Sequence, residues 1–355
     1  MEVPCVRVER EEGETARRRL AERDVLANDF EITVEDGWLY IPVDDPDAVP
    51  EEYEVVERAP PARERPEMPA DLLGYEPSYE RLGEIVILDE DDPERAAEIA
   101  QAVMDSALPA RTVLNRASKI RGELRVRDWD VLAGDGTETV HREYGFEYAL
   151  DLAAVYFSPR LATERHRVVE QVHEGERVLD MFAGVGPFVI PAAARSAEAV
   201  GVDLNEHAIE YLEENARRNG VADRVTAIRG DVRNVVAGSS GGRQPSNGIG
   251  DLSASASGSE PNGPDDGYED WADRIVMNLP HSADAFLETA VALAGDTCVL
   301  HYYDIQHEDD PFGPGERAIR EAAEPEYEVS VEERTVVRSY APHELNVCLD
   351  VRLSR

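Results

Sequence analysis

The sequence predicts an α/β protein whose C-terminal half is a mostly parallel sheet covered by helices, preceded by two small α+β domains. Three observations lead there. From residue 151 onward, strand-like apolar runs alternate with amphipathic helical stretches, the pattern of a parallel sheet with both faces covered. The final stretch, EYEVSVEERTVVRSYAPHELNVCLDVRL, offers two strands with no helix between them, so an antiparallel pair closes one edge. The first 150 residues instead mix short strands with single helices around a proline-rich break.

Residues 1–57 read as a small α/β unit: CVRVER is a strand, GETARRRLAERDVL a helix, and FEITV and WLYIPV are strands around the turn EDG. Residues 58–69 (RAPPARERPEMP) carry four prolines and read as a linker. Residues 70–150 form a second block with a buried strand, EIVIL, and a helix, PERAAEIAQAVMDSAL, whose Pro93 sits near the first turn. Short strands follow in TVLNRASKI, in GELRVRDWDVLAG and around His141 and Phe146. Residues 151–355 hold the strands RVLDMF, AEAVGVDL, RVTAIRGD, DRIVMNL and TCVLHYY, with helices such as NEHAIEYLEENARRNG and HSADAFLETAVALAG between them. Within that block, residues 238–267 are rich in Gly, Ser, Pro and Asp. They cannot bury enough surface to offset ordering entropy, so a disordered insertion is expected.

Composition excludes several classes. Apolar residues make up 42% of the chain, which argues against wholesale disorder. No apolar run approaches the ~18 residues of a membrane span, and the N-terminus lacks the basic-then-apolar order of a signal peptide. A soluble, cytoplasmic monomer is expected, with no membrane partner. Cys5, Cys298 and Cys348 form no CxxC pair, so neither a disulfide framework nor a metal site is expected. The 75 acidic residues against 36 basic ones give a net charge of −39, and Lys119 is the sole lysine. This is the composition of a surface kept hydrated in concentrated salt, pointing to an extremely halophilic source. In molar salt the Debye length is only ~3 Å, so local arginines decide any contact with nucleic acid.

The strongest motif is VLDMFAGVGPF, residues 178–188. A buried strand ends in Asp180, and Gly184 and Gly186 then let the backbone turn close to a ligand. The run A-G-V-G-P-F lacks the third glycine of a pyrophosphate-binding GxGxxG, and Pro187 suits a first helical turn. This favours a cofactor with an amino-acid tail and no phosphates. Asp203 ends the next strand, placed to accept from both ribose hydroxyls, and Asp231 the one after, where an adenine amine would lie. Each aspartate alone more often caps a helix. Three in order beside a glycine turn make a binding crevice. Phe182, Leu204 and Val232 complete the expected cofactor set. These features resemble the class I S-adenosylmethionine methyltransferases, whose fold is a Rossmann-like seven-stranded sheet.

The fourth strand ends in Asn278-Leu-Pro280-His281. The Asn amide offers a donor and an acceptor to a base edge, but His281 stands where amine methyltransferases of DNA usually carry an aromatic residue. With YFSPRLATERHRV, GELRVRDWDVLAGD, HREYGFEYALD, MNLPHSADAFL and HYYDI, the chain resembles the archaeal and eukaryotic tRNA (guanine-37 N1) methyltransferases over nearly its whole length. The resemblance implies that Glu164 removes the guanine N1 proton, Arg125 hydrogen-bonds O6, Asn278 holds the guanine edge and Tyr156 shapes the pocket. A simpler reading of Glu164 is an ion pair with Arg160 or Arg167 on one helix. Arg125 has close neighbours in Arg121 and Arg127.

Between Leu108 and Arg127 stand six cations (Arg111, Arg116, Lys119, Arg121, Arg125, Arg127) against a single acid. In so acidic a chain this block reads as a phosphate-contacting face for tRNA. Arg160, Arg165 and Arg167 add a second patch, and Arg17-Arg18-Arg19 could reach the tRNA elbow. Two alternatives stay open at this point: transfer of the aminocarboxypropyl arm of the same cofactor to a modified guanosine, and a non-catalytic tRNA-binding homologue. Methylation of DNA or protein is disfavoured by His281 and the basic block.

Overall fold

The computed structural model describes residues 2–63, 66–117, 127–235 and 267–355. The expected insertion at 238–267 lies outside the described residues except for Gly267. The chain divides into two compact units, residues 1–71 and 72–355.

In the first unit, β1 (Val3–Glu9), α1 (Gly13–Ala21), β2 (Thr33–Glu35), β3 (Trp38–Pro42) and β4 (Glu54–Arg58) form an antiparallel sheet of order β2-β3-β1-β4 under one helix. Val6, Val8 and Ile41 pack against Ala16 and Leu20 of α1. The EDG turn is a tight hairpin, with Asp36 and Gly37 both at positive φ. The sequence reading misses β4, a short strand rich in acids. It also treats 58–69 as a free linker, whereas the Pro61 carbonyl accepts from Glu31 N at 2.9 Å and Arg63 N donates to Asp29 O at 2.7 Å. Proline lacks a donor but keeps its carbonyl, so the segment still docks on the edge of this unit.

A short helix, α2 (Pro69–Leu73), lies where the chain passes from one unit to the next. The second unit opens with β5 (Glu80–Leu82), β6 (Ile85–Leu88), α3 (Pro93–Asp105), β7 (Thr112–Arg116) and β8 (Trp129–Ala133), a sheet of order β5-β6-β7-β8. Asp92 caps α3 by accepting from Glu94 N at 3.0 Å, with Pro93 in its first turn. A hairpin of β9 (Glu138–Glu143) and β10 (Phe146–Asp151) follows, then α4 (Ala162–Glu170).

The large sheet is built from β11 (Arg177–Asp180), β12 (Glu198–Asp203), β13 (Val225–Arg229), β14 (Ala272–Met277), β15 (Ala294–His307), β16 (Glu328–Ala341) and β17 (Glu344–Ser354). Its order is β13-β12-β11-β14-β15-β17-β16. The first five strands run parallel, and β17 pairs antiparallel with both β15 and β16. The helices are α5 (Val189–Ala194), α6 (Glu206–Arg218), α7 (Leu287–Leu293) and α8 (Gly313–Ala323). This is the seven-stranded, edge-closed sheet that the resemblance implies. Among the described residues no helix is long and apolar enough to cross a membrane.

The block 70–150 keeps a small core of its own, in which Val86, Leu88 and Val113 pack against Ile99 and Val103 of α3, but its other face is shared. Leu82, Ile85 and Leu114 from the four-stranded sheet and Tyr148 and Leu150 from the hairpin share one apolar cluster with Ala183, Ile190, Ala199 and Leu212. Asn215, fully buried on α6, binds the hairpin like an extra strand. It accepts from Ala149 N at 2.7 Å and donates to the Ala149 and Val185 carbonyls at 3.1 Å. Asn215→Ala leaves three buried backbone groups unpaired and is expected to cost about 2–4 kcal/mol of stability, read from the denaturant midpoint in molar salt. A midpoint unchanged from wild type would contradict this role.

Candidate active site

Strand order reverses around β11, and open α/β sheets bind ligands at such a switch point, beyond the strands' carboxyl ends. A cleft of about 570 Å³ opens there, lined by Asp180, Gly184, Asp203, Asp231, Asn278 and Tyr156, with Phe182, Leu204 and Val232 among its apolar walls. Of the two glycines of the turn, Gly184 lines the cleft and Gly186 does not. It lies off the cleft wall, at φ +92°, where an added Cβ would stand 2.4 Å from Leu212 Cδ1. Its role is close packing against α6. Pro187 precedes α5, which begins at Val189, and the turn is closed by Ile190 N donating to Gly186 O at 2.9 Å.

The carboxylates differ in their commitments. Asp180 is buried and accepts from Phe182 N at 3.0 Å. Burial, with Asp203 adding to it, pushes its carboxyl up to about 7. Asp203 fixes the turn, accepting from Gly184 N and Asn205 N, each at 2.8 Å. Burial also raises Asp203, against the pull of those amides. The cap of α6 is Asn205, which accepts from His207 N and donates to Ala154 O just before Tyr156. Capping therefore does not account for Asp203, which also lines the cleft. Asp231 is different: it caps the short turn at Val232–Asn234 and is ion-paired with Arg233.

On the opposite side, Asn278 follows β14 directly. Pro280 O accepts from Ile305 N at 3.1 Å, tying the Asn-Leu-Pro turn to β15. His281 Nε2 lies 3.0 Å from Tyr340 Oη, with the rings edge to face. An aromatic ring of β16 thus stands beside the Asn-Leu-Pro turn.

Glu164 is not on the cleft wall, although Leu161 and Arg165 beside it are. Its carboxylate is buried, accepting from Tyr303 Oη at 2.9 Å and from Arg167 Nη2 and Nε at 2.8 and 2.9 Å. The helix ion pair weighed from sequence is present. Arg167 also reaches Asp350 at 2.6 Å and Glu333 at 3.1 Å. Burial works against the Asp350 charge, yet bonds from His301 and Arg167 hold its carboxyl well below the usual range.

The basic face needs correction in the same sense. Arg165 is buried and ion-paired with Glu143 at 2.5 Å. Arg116 is paired with Glu80 at 2.6 Å and Asp89 at 2.9 Å, Arg111 donates to the Asp135 and Glu138 carbonyls, and Arg160 pairs with Glu80. Arg165, Arg167 and Arg116 are therefore committed to the protein's own acids, Arg165 buried and the other two half-buried. Arg116, Arg127 and Arg160 line a groove that also includes Tyr156. Lys119, Arg121 and Arg125 lie outside the described residues.

Several groups escape the sequence reading. His301, Cys348 and Asp350 bring candidate ligand atoms within 4.8 Å of one another. His301 Nδ1 already faces Asp350 at 2.7 Å and its Nε2 faces Arg274 at 2.6 Å. Two guanidiniums, from Arg274 and Arg167, crowd the group, which makes it an ionic network rather than a cation site. Arg338, Tyr340 and Asn346 of the C-terminal hairpin line the cleft beside Asn278. The available signal was a pair of polar residues, Asn346 and Asp350, within the mostly apolar strand NVCLDV.

Comparison with known proteins extends this geometry. A profile of the TRM5/TYW2 methyltransferase domain matches residues 139–243 and 265–332. A tRNA methyltransferase 5 N-terminal domain matches residues 5–51, and a TYW2 N-terminal domain matches residues 65–137. The chain is 39% identical to tRNA (guanine(37)-N(1))-methyltransferase Trm5b of Pyrococcus abyssi, covering 99% of both chains. It is similar to the structure of aTrm5 in complex with tRNALeu, with a TM-score of 0.69, 30% identity and 99% of each chain covered. Methanocaldococcus jannaschii TYW2 in complex with AdoMet is more distant, with a TM-score of 0.57, 25% identity, and coverage of 78% of this chain and 100% of that one.

Proposed function

The chain belongs to the TRM5/TYW2 methyltransferase family, and from that premise we propose that it transfers the methyl group of S-adenosylmethionine to N1 of guanine 37 in tRNA. The observation that carries this reading is the end-to-end similarity to Trm5b, which spans the N-terminal unit as well as the methyltransferase sheet. S-adenosylmethionine supplies an electrophilic methyl carbon. The residues present suit it: Asp203 and the glycine turn for the ribose, the walls at Phe182, Leu204 and Val232 for the adenine, and Asp180 for the ammonium of the amino-acid tail.

On the substrate side, Asn278 holds the guanine edge, Tyr156 shapes the pocket and Glu164 takes the N1 proton. Carboxylates offer about four lone-pair sites, and Arg167 and Tyr303 occupy three on Glu164. Reaching the cleft that Leu161 and Arg165 line requires loosening Arg167, which keeps Asp350 as a partner. Arg125 supports the charge that builds on O6. The enzyme acts as a cytoplasmic monomer on the anticodon stem-loop. Its N-terminal domain, residues 1–57, reaches toward the tRNA elbow, and Arg127 and Arg160 contact the phosphate backbone.

Nucleoside mass spectrometry of tRNA incubated with protein and cofactor tests the reaction type. A single-methyl guanosine is expected; an aminocarboxypropyl adduct would assign the chain to the sister activity. Cofactor binding should also depend on pH. Asp180 must be ionised to accept an ammonium, so affinity should fall about tenfold per pH unit below about 7. It should fall again above about 8, where an α-amino group loses its proton. Calorimetry on Asp180→Asn should lack the acid limb, and a wild-type affinity flat from about pH 5.5 to 7 would contradict the assignment.

A further inference from the structure

We propose that Arg338 and Asn346 read the edge of the target guanine: the Arg338 Nε–H donates to O6, and the Asn346 Oδ1 accepts from the exocyclic 2-amino group. This rests on the guanine reading above and extends it to two residues on the C-terminal hairpin.

Four buried side-chain polar atoms lack a hydrogen-bond partner among the described residues, and two of them are Arg338 Nε and Asn346 Oδ1. An orphaned buried donor or acceptor pays its desolvation with no bond in return, so native proteins rarely keep one without a use. Both residues line the cleft that holds Asn278 and Pro280. They are also direct cross-strand partners between β16 and β17. Directly opposed residues in an antiparallel pair share a face, with Cβ atoms about 4.5–5.5 Å apart. A donor and an acceptor thus stand on neighbouring residues of one face, complementary to each other yet unbonded.

The local backbone supports that aim. Register shifts flank Arg338, between Val336 and Arg338 and again between Ser339 and Ala341. Bulges of this kind re-aim side chains and recur beside active sites. On its other side Asn346 pairs with Ile305, whose N–H holds the Pro280 carbonyl. The hairpin and the Asn-Leu-Pro turn are therefore locked into one wall.

The pattern selects guanine. Guanine offers an acceptor at O6 and a donor at the 2-amino group, whereas adenine puts a donor at position 6 and only C–H at position 2. Adenine would face Arg338 with donor against donor and leave Asn346 unpaired. O6 has two lone pairs, so accepting from Arg338 leaves room for Arg125.

Inosine, which is guanosine without the 2-amino group, isolates the Asn346 contact. The experiment measures single-turnover methyl transfer at saturating cofactor to tRNA transcripts carrying guanosine or inosine at position 37. Wild type should prefer guanosine about tenfold. Asn346→Ala should lose about tenfold on guanosine and none on inosine, so the two substrates become equal. Arg338→Met should slow both substrates alike, because both carry O6. The melting temperature of Asn346→Ala should not fall, since Oδ1 makes no internal bond. A guanosine preference that is absent in wild type, or that survives Asn346→Ala, overturns the proposal. Failure of wild type to methylate the guanosine transcript would instead overturn the functional reading beneath it.

Discussion

Glu164→Gln is expected to slow single-turnover methyl transfer by a factor of ~10²–10⁴, the usual range for loss of a general base. Guanine N1 carries a proton at neutral pH, and its lone pair becomes available only when that proton leaves. Gln cannot take it. The substitution should otherwise be gentle, because the Gln carbonyl can still accept from Tyr303, and Arg167 keeps its 2.6 Å contact with Asp350. Rapid-quench kinetics should therefore show a large loss in the chemical step with little change in tRNA or cofactor binding. A merely structural Glu164 gives the reverse: a lowered melting temperature with a near-wild-type rate constant, and that result would assign the base elsewhere.

Gly186→Ala is expected to do the most damage among the glycine-turn residues. At φ +92° any Cβ is strained, and this one would lie 2.4 Å from Leu212 Cδ1 and 3.1 Å from Ile190 Cγ1. Leu212 is fully buried and also bounds Gly201, so it cannot swing aside. Strain and overpacking together should cost about 2–4 kcal/mol. The displaced turn should also weaken cofactor affinity at least about tenfold, because Gly184 N and Asp203 move with it. Gly184→Ala provides the contrast: its Cβ meets nothing closer than 3.9 Å, so only the backbone strain of about 1–2 kcal/mol remains. Equal denaturant midpoints for the two variants would show that packing against α6 is not what Gly186 provides.

What the sequence makes legible is local. Strand–helix alternation, the turn after Asp180, the aspartate ending β12 and the Asn-Leu-Pro turn after β14 all appear where their local patterns place them, because each pattern is contained within a dozen residues. Features that depend on distant partners are not legible in this way. Arg116, Arg165 and Arg167 look like a phosphate-binding face until Glu80, Glu143 and Asp350 fold onto them. The block 70–150 looks self-contained because its strands and helix are complete, yet its apolar face is finished by Ala183, Ile190 and Leu212. Arg338 and Asn346 read as ordinary edge-strand residues. Only register places them opposite each other, and only the fold brings them to the cleft that Asn278 lines.

The central claim is that the methyl group goes to one guanine of tRNA. Its most direct test is incorporation from labelled S-adenosylmethionine, in molar salt, into a tRNA transcript with guanosine at position 37 and into the same transcript with adenosine there. The account predicts stoichiometric labelling of the first, located at N1 of that guanine, and background labelling of the second. Equal labelling of both transcripts, or none of either by a folded, cofactor-binding protein, would contradict it.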